Sequence, residues 1–116
     1  LAQPEEAPDA EADMQALAVS RLEAHYFQHA GFLEPQQLLQ GIHHLAGIPA
    51  LIVQGRYDVI CPPATAHRLH QAWPQARLQI IEGAGHSAFE PGIEAALIQA
   101  MNLFRDQGHF RLAAQA

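Results

Sequence analysis

The sequence predicts an α/β fold built on two parallel strands with flanking helices. Two short strand-like segments, 49–53 and 77–81, are each closed by glycine a few residues on. The stretch between them, 62–73, has helical spacing, and helical spacing returns on either side. Strands joined by a helical crossover run parallel, and parallel sheets are covered by helices on both faces. Two strands alone make a poor sheet, so the chain is expected to form the end of a larger one.

Residues 1–13 are almost entirely Ala, Glu, Asp and Pro and read as a mobile acidic lead-in, or else an ordered loop. From Ala12 onward, Met14, Ala18, Leu22 and Tyr26 recur every four residues and predict a helix that stops at Gly31. Pro35 suits the first turn of a second helix, which carries Leu38, Leu39 and Ile42 and ends near Gly47. The apolar run at 49–53, closed by Gly55, reads as a strand buried on both faces. Pro62 and Pro63 open the next helix, with Ala66, Leu69 and Trp73 on one face, and Pro74 ends it. The second strand, 77–81, is terminated by Gly83 and Gly85. The stripe Ile93, Ala96, Leu97, Ala100, Met101 and Phe104 defines the last helix. Ser87 and Glu90 have the spacing of its capping box, although Pro91 points to a slightly later start.

The 116 residues fit one small domain, and 49% apolar with 16% charged residues is enough for a packed core. The net charge is −6, every base is an arginine, and residues 1–30 hold six acids against Arg21 alone. No basic face can be assembled for a nucleic acid. The apolar runs are far too short to span a membrane, and no charged-then-apolar leader opens the sequence. One cysteine, Cys61, excludes an internal disulfide and suits a reducing compartment. A cytoplasmic protein with neither nucleic-acid nor membrane partners is therefore expected.

In open α/β sheets the working residues lie just beyond the carboxyl ends of the strands. Asp58 follows the first strand and His86 the second. Adjacent parallel strands set those two loops side by side, so the pair can meet. A carboxylate on imidazole Nδ1 fixes the tautomer and stabilises the imidazolium formed when Nε2 takes a proton. Taken singly, Asp58 would read as a turn residue and His86 as a loop histidine; their joint placement favours chemistry. A nucleophile for them is not evident. Ser20 falls within a helix, Ser87 reads as a cap, and neither these nor Thr65 lies in a Gly-x-Ser-x-Gly elbow. Cys61 has no base partner of its own and reads as a packed bystander. His25 with His29, and His67 with His70, have ligand-like spacing but neither the glutamate of a zinc protease motif nor a third ligand, while His43, His44 and His109 read as surface positions. No metal and no cofactor is expected.

Three blocks carry a resemblance. Residues 55–62 (Gly-Arg-Tyr-Asp-Val-Ile-Cys-Pro), 69–74 (Leu-His-Gln-Ala-Trp-Pro) and 85–91 (Gly-His-Ser-Ala-Phe-Glu-Pro) resemble the carboxyl-terminal third of the proline iminopeptidases (prolyl aminopeptidases), which are α/β-hydrolases. Upstream, residues 21–27 (Arg-Leu-Glu-Ala-His-Tyr-Phe) with Gly31 and Phe32 resemble the end of that family's helical cap. The resemblance runs over roughly residues 15–107 and keeps family order. It departs at Ala24, where the family usually carries a polar residue.

The resemblance implies the carboxyl-terminal part of an α/β-hydrolase: the last two parallel strands with flanking helices, preceded by the end of a helical cap. It implies a division into the lead-in at 1–13, the end of the cap at 14–34 and the core at 35–116. It also implies cleavage of an amino-terminal proline from peptides by a Ser–Asp–His triad. Asp58 would be the acid and His86 the general base, with Glu23 on the substrate's amino group and Phe27 on the proline ring. Positions 23 and 27 are one helical turn apart, so they share a face. By the residues alone, Glu23 would read as a solvated acid and Phe27 as core. The family's serine elbow, Gly-rich oxyanion segment and second cap carboxylate belong upstream of the residues present here. The isolated 116 residues are therefore expected to be inactive without that upstream segment. Two alternatives remain: another α/β-hydrolase, such as an esterase or epoxide hydrolase, or a non-catalytic binding module. Glu23 discriminates, because an ester or epoxide offers no ammonium for it to pair with.

Overall fold

In the computed structural model of the chain, residues 9–110 are described, and they form two units that part between Gln37 and Leu38. The rest of the acidic lead-in, residues 1–8, lies outside the described residues.

The first unit is dominated by helix α1, Ala10–Gln28. It starts two residues before Ala12 because Asp9 caps it. The Asp9 Oδ1 accepts from the backbone N–H groups of Glu11 at 3.0 Å and Ala12 at 3.3 Å. Glu11 and Asp13 complement the helix dipole in the first turn. No side chain of α1 is buried within this chain, and Met14, Leu17 and Leu22 stand exposed. At its end the chain takes a left-handed turn, with positive φ at Ala30, Gly31 and Phe32. Phe32 stacks on His29 at 5.0 Å and meets Tyr26 edge-on at 5.5 Å, an arrangement that offsets part of the turn's strain. His29 Nδ1 donates to the His25 backbone carbonyl at 2.7 Å, so one ring nitrogen of this pair, spaced like metal ligands, is spent on closing the helix.

The second predicted helix is cut short. Only α2, Gln37–Gln40, is α-helical, and Gly41–Leu45 continues as 3₁₀ turns. Gln36 has a φ of 62°, which blocks a longer start from Pro35, and Gly41 is a poor helix interior residue. His43 Nδ1 donates to the Gln40 carbonyl at 2.8 Å and takes up one orphan acceptor. The path ends at Gly47, whose φ is 88°.

Strand β1 is Leu51–Gly55, two residues later than read from the apolar run, and β2 is Arg77–Ile81 as expected. They pair in parallel with Leu51 opposite Arg77 and Gly55 opposite Ile81. Within the described residues β1 is half-buried until Gln54 and Gly55, rather than enclosed on both faces. Helix α3, Pro63–Ala72, makes the crossover and buries Ala66. Helix α4, Pro91–Gln107, buries Ile93, Ala96 and Ala100, while Leu97, Met101 and Phe104 on the same stripe stay partly exposed. Its end at Gly108 is a left-handed cap whose N–H reaches the Phe104 carbonyl at 2.7 Å. The core is thus small-residue packing, largely alanine, that lets helices approach the strands closely. Gly92 marks one such approach, because a Cβ there would stand 2.7 Å from Ile81 Cγ2.

Gly55 marks the tightest. A Cβ at this position would overlap the carbonyl oxygen of Gly85 and lie 2.8 Å from that of Ala84. Both obstacles are backbone and cannot rotate away. Gly55→Ala should therefore destabilise the protein by about 1–3 kcal/mol or more. Gly41→Ala, where nothing lies within 4 Å of the new Cβ, should be neutral or stabilising by about 0.4–1 kcal/mol. Urea unfolding of the two variants checks this, and equal midpoints would refute the close-approach argument.

Candidate active site

The turn after β1 is sewn to the turn after β2 by backbone bonds. Arg56 N–H donates to the Ile81 carbonyl at 3.0 Å, and Tyr57 N–H to the Ala84 carbonyl at 2.9 Å. Directly beyond these bonds stand Asp58 and His86. His86 Nδ1 lies 3.1 Å from both Asp58 Oδ1 and Oδ2. Asp58 is only 8% exposed, whereas the His86 ring is half exposed.

Burial would by itself raise the Asp58 pKa. The Cys61 N–H, the His86 ring and the Ile60 N–H outweigh that and hold the carboxyl below its ordinary range. The bonds are short, 2.8 Å from Cys61 and 3.0 Å from Ile60, both to Oδ1. An ionised Asp58 can only accept, so Nδ1 carries the hydrogen and Nε2 is left with its lone pair. A neutral ring held in this tautomer can accept a proton at Nε2.

Each loop is also tied by a carboxylate or amide that sequence reading assigned no part in the site. Glu90 accepts from Gly85 N–H at 2.8 Å and from Ser87 N–H at 3.1 Å, so it clasps the turn carrying His86. Half of the expected capping box is therefore present, but it closes the loop ahead of α4, and Ser87 Oγ accepts from Phe89 N–H instead. The other is Gln54, in β1, whose Nε2 donates to the carbonyls of Gly55 and Cys61 and reaches Asp58 Oδ2. A polar residue at the end of an apolar strand, four positions before the aspartate, was the available signal. Beside the pair, Arg56 and Glu82 follow β1 and β2 and form a forked ion pair, with Nε 3.1 Å from both carboxylate oxygens. The Arg56 guanidinium lowers the Glu82 pKa, but the pair is exposed and contributes little to stability.

Asp58, Cys61 and His86 each offer a ligand atom, all within 4.8 Å of one another, so these three could hold a metal ion. The sequence reading, which weighed only histidine pairs, did not see this cluster. Glu23 and Phe27 lie one turn apart on α1 in the first unit, and Phe27 is 80% exposed. Among the described residues no helix is long and apolar enough to cross a membrane.

The depressed Asp58 pKa has a sign that can be tested. Its ionisation stabilises the fold above the ordinary carboxylate pKa, and this contribution is lost as pH falls through that value toward the lower folded one. Asp58→Asn should flatten the acid side of the stability curve. Urea midpoints between about pH 6 and pH 2.5 should fall more steeply for the natural protein than for the variant. Parallel curves would show that Asp58 does not carry the effect.

Comparison with known proteins agrees with the α/β architecture. The family described as TAP-like protein, an α/β-hydrolase group, matches residues 32–111. A proline iminopeptidase of Xanthomonas citri is 53% identical over 90 residues, covering 77% of this chain and 29% of the relative. Its counterpart in Arabidopsis thaliana is 50% identical over 92 residues, covering 78% and 24%, respectively. One from Neisseria gonorrhoeae is 44% identical over 87 residues, covering 74% and 28%. The chain thus spans less than a third of the length of these curated relatives. With two parallel strands, helices about them and a matched family over most of its length, the chain belongs to the TAP-like group of α/β-hydrolases and is similar to the proline iminopeptidases.

Proposed function

We propose that the chain is the acid–base portion of a cytoplasmic serine aminopeptidase that releases amino-terminal proline from peptides. The observation that carries this is the two-oxygen contact of Asp58 with His86 Nδ1, in a chain half-identical to proline iminopeptidases. In this reading His86 Nε2 takes the proton from a serine hydroxyl as it attacks the prolyl carbonyl. Asp58 stabilises the imidazolium, which then returns the proton to the leaving amine. The serine elbow and the oxyanion donors come from a further segment of the complete protein, and residues 1–116 alone do not turn over substrate. Residues 14–34 close the cap and residues 35–116 complete the hydrolase core.

Substrate choice follows from the cap helix. Glu23 pairs with the secondary ammonium of the amino-terminal proline, and Phe27, a turn away, packs on the pyrrolidine ring. No metal or cofactor takes part in these steps, and the partner is a peptide rather than a nucleic acid or a membrane.

The complete protein should release proline from substrates with a free amino terminus. Glu23→Gln removes the charge but keeps the shape. It should lower kcat/KM on those substrates by on the order of 10–100-fold, the size expected for a charge-assisted hydrogen bond. Simple esters should be nearly unaffected. Equal losses on both substrate classes would show that Glu23 only supports the cap, and a complete protein that cleaves esters but no prolyl peptide would favour the esterase alternative.

A further inference from the structure

The two buried polar side chains among the described residues are Gln54 and Asp58, and they touch. An apolar residue would serve a strand position better, since a buried amide must find partners for both its hydrogens. Gln54 finds them around one turn. Its Nε2 lies 3.0 Å from the Cys61 carbonyl, 3.1 Å from the Gly55 carbonyl and 3.4 Å from Asp58 Oδ2. The first two contacts bracket Asp58 in sequence, so the amide closes the 55–61 turn from beneath. Asp58 Oδ1 closes the same turn from within through the Ile60 and Cys61 N–H groups.

We propose that Gln54 is the positioning residue of the Asp58–His86 pair: its amide holds the 55–61 turn and Asp58 Oδ2 together, so that both carboxylate oxygens face His86 Nδ1. The reason lies in the carboxylate's remaining freedom. Oδ1 is fixed by two backbone donors besides the His86 ring, but among the described residues Oδ2 is met by the His86 ring and by Gln54 alone. Without the amide, coupled rotation about both side-chain torsions can pivot the carboxylate on Oδ1, and the two-oxygen contact with the imidazole is lost. Gln54 is suited to the task because it sits in β1, paired with Ile80 of β2, on a strand rather than a loop. The proposal concerns a positioning role, with no contact to substrate required.

The inference rests on the proposed hydrolase chemistry, and the test separates the two. Gln54→Met keeps length and removes the donors, while Gln54→Glu keeps shape and sets a second carboxylate against Asp58. In the complete protein kcat for proline release should fall roughly tenfold for Met and further for Glu, with KM unchanged, as expected when a reacting group is misplaced but binding is intact. Thermal unfolding confirms that each variant is folded. Independently of turnover, the His86 Nδ1 proton should give a far-downfield NMR resonance that His86→Ala abolishes. That resonance should broaden or shift upfield in both Gln54 variants. If the natural protein releases no proline, the functional reading falls and Gln54 is judged on the resonance alone. An unchanged resonance with unchanged kcat in folded Gln54→Met would overturn the proposal, as would absence of the resonance from the natural protein.

Discussion

The carbonyl oxygens of Ala84 and Gly85 occupy the space that a side chain at position 55 would fill, and the site depends on that contact. Parallel pairing alone brings β1 and β2 to the usual strand separation, and loops beyond strand ends ordinarily diverge. Here the absence of a Cβ lets the second turn fold over the end of the first strand. Tyr57 N–H can then reach the Ala84 carbonyl. From that bond onward, Asp58 and His86 are close because their backbones are, not because their side chains stretch toward each other.

Local bonds then set the fine geometry on each side. Asp58 captures the N–H groups two and three residues ahead of it, as aspartates in turns commonly do. Glu90 performs the mirror task, reaching back to the N–H groups of Gly85 and Ser87 on either side of His86. Two carboxylates thus organise two turns, with different outcomes. Asp58 is buried and turns both oxygens to the imidazole, which ties its ionisation to His86. The Glu90 oxygens are taken up by backbone donors, which leaves the histidine free of a competing carboxylate on that side.

What could be read from the sequence follows from the range of the forces involved. The strand pair was legible because apolar runs, an intervening helical stretch and terminating glycines all point the same way. The placement of Asp58 and His86 followed from that topology, without knowledge of any side-chain contact. The helix after Pro35 was misjudged because its apolar spacing is real, while the positive φ at Gln36 and the glycine at position 41 decide the backbone. Gln54 left only the mark of a polar residue ending an apolar strand, for a related reason. Its value depends on the turn curling back over the strand end, and no periodicity reports where an amide's hydrogens will land. Glu23 and Phe27 came only from the resemblance, since an exposed acid and an exposed ring on one helix face are commonplace.

A base whose tautomer is fixed is useful only where a proton must move in one direction. With Nδ1 committed to Asp58, any hydroxyl approaching His86 must do so at Nε2, and the half-exposed ring leaves that approach open. This polarity is the chemical content of the chain under the proposed reading: it sets the direction of proton transfer, while the choice of nucleophile and substrate belongs to groups brought to it. The same division accounts for how the strands and helices are used. The turn after β1, held by Gln54, carries Asp58, and the turn after β2, packed against Gly55 of β1, carries His86. The residues that would recognise an ammonium and a proline ring under the same reading stand on α1.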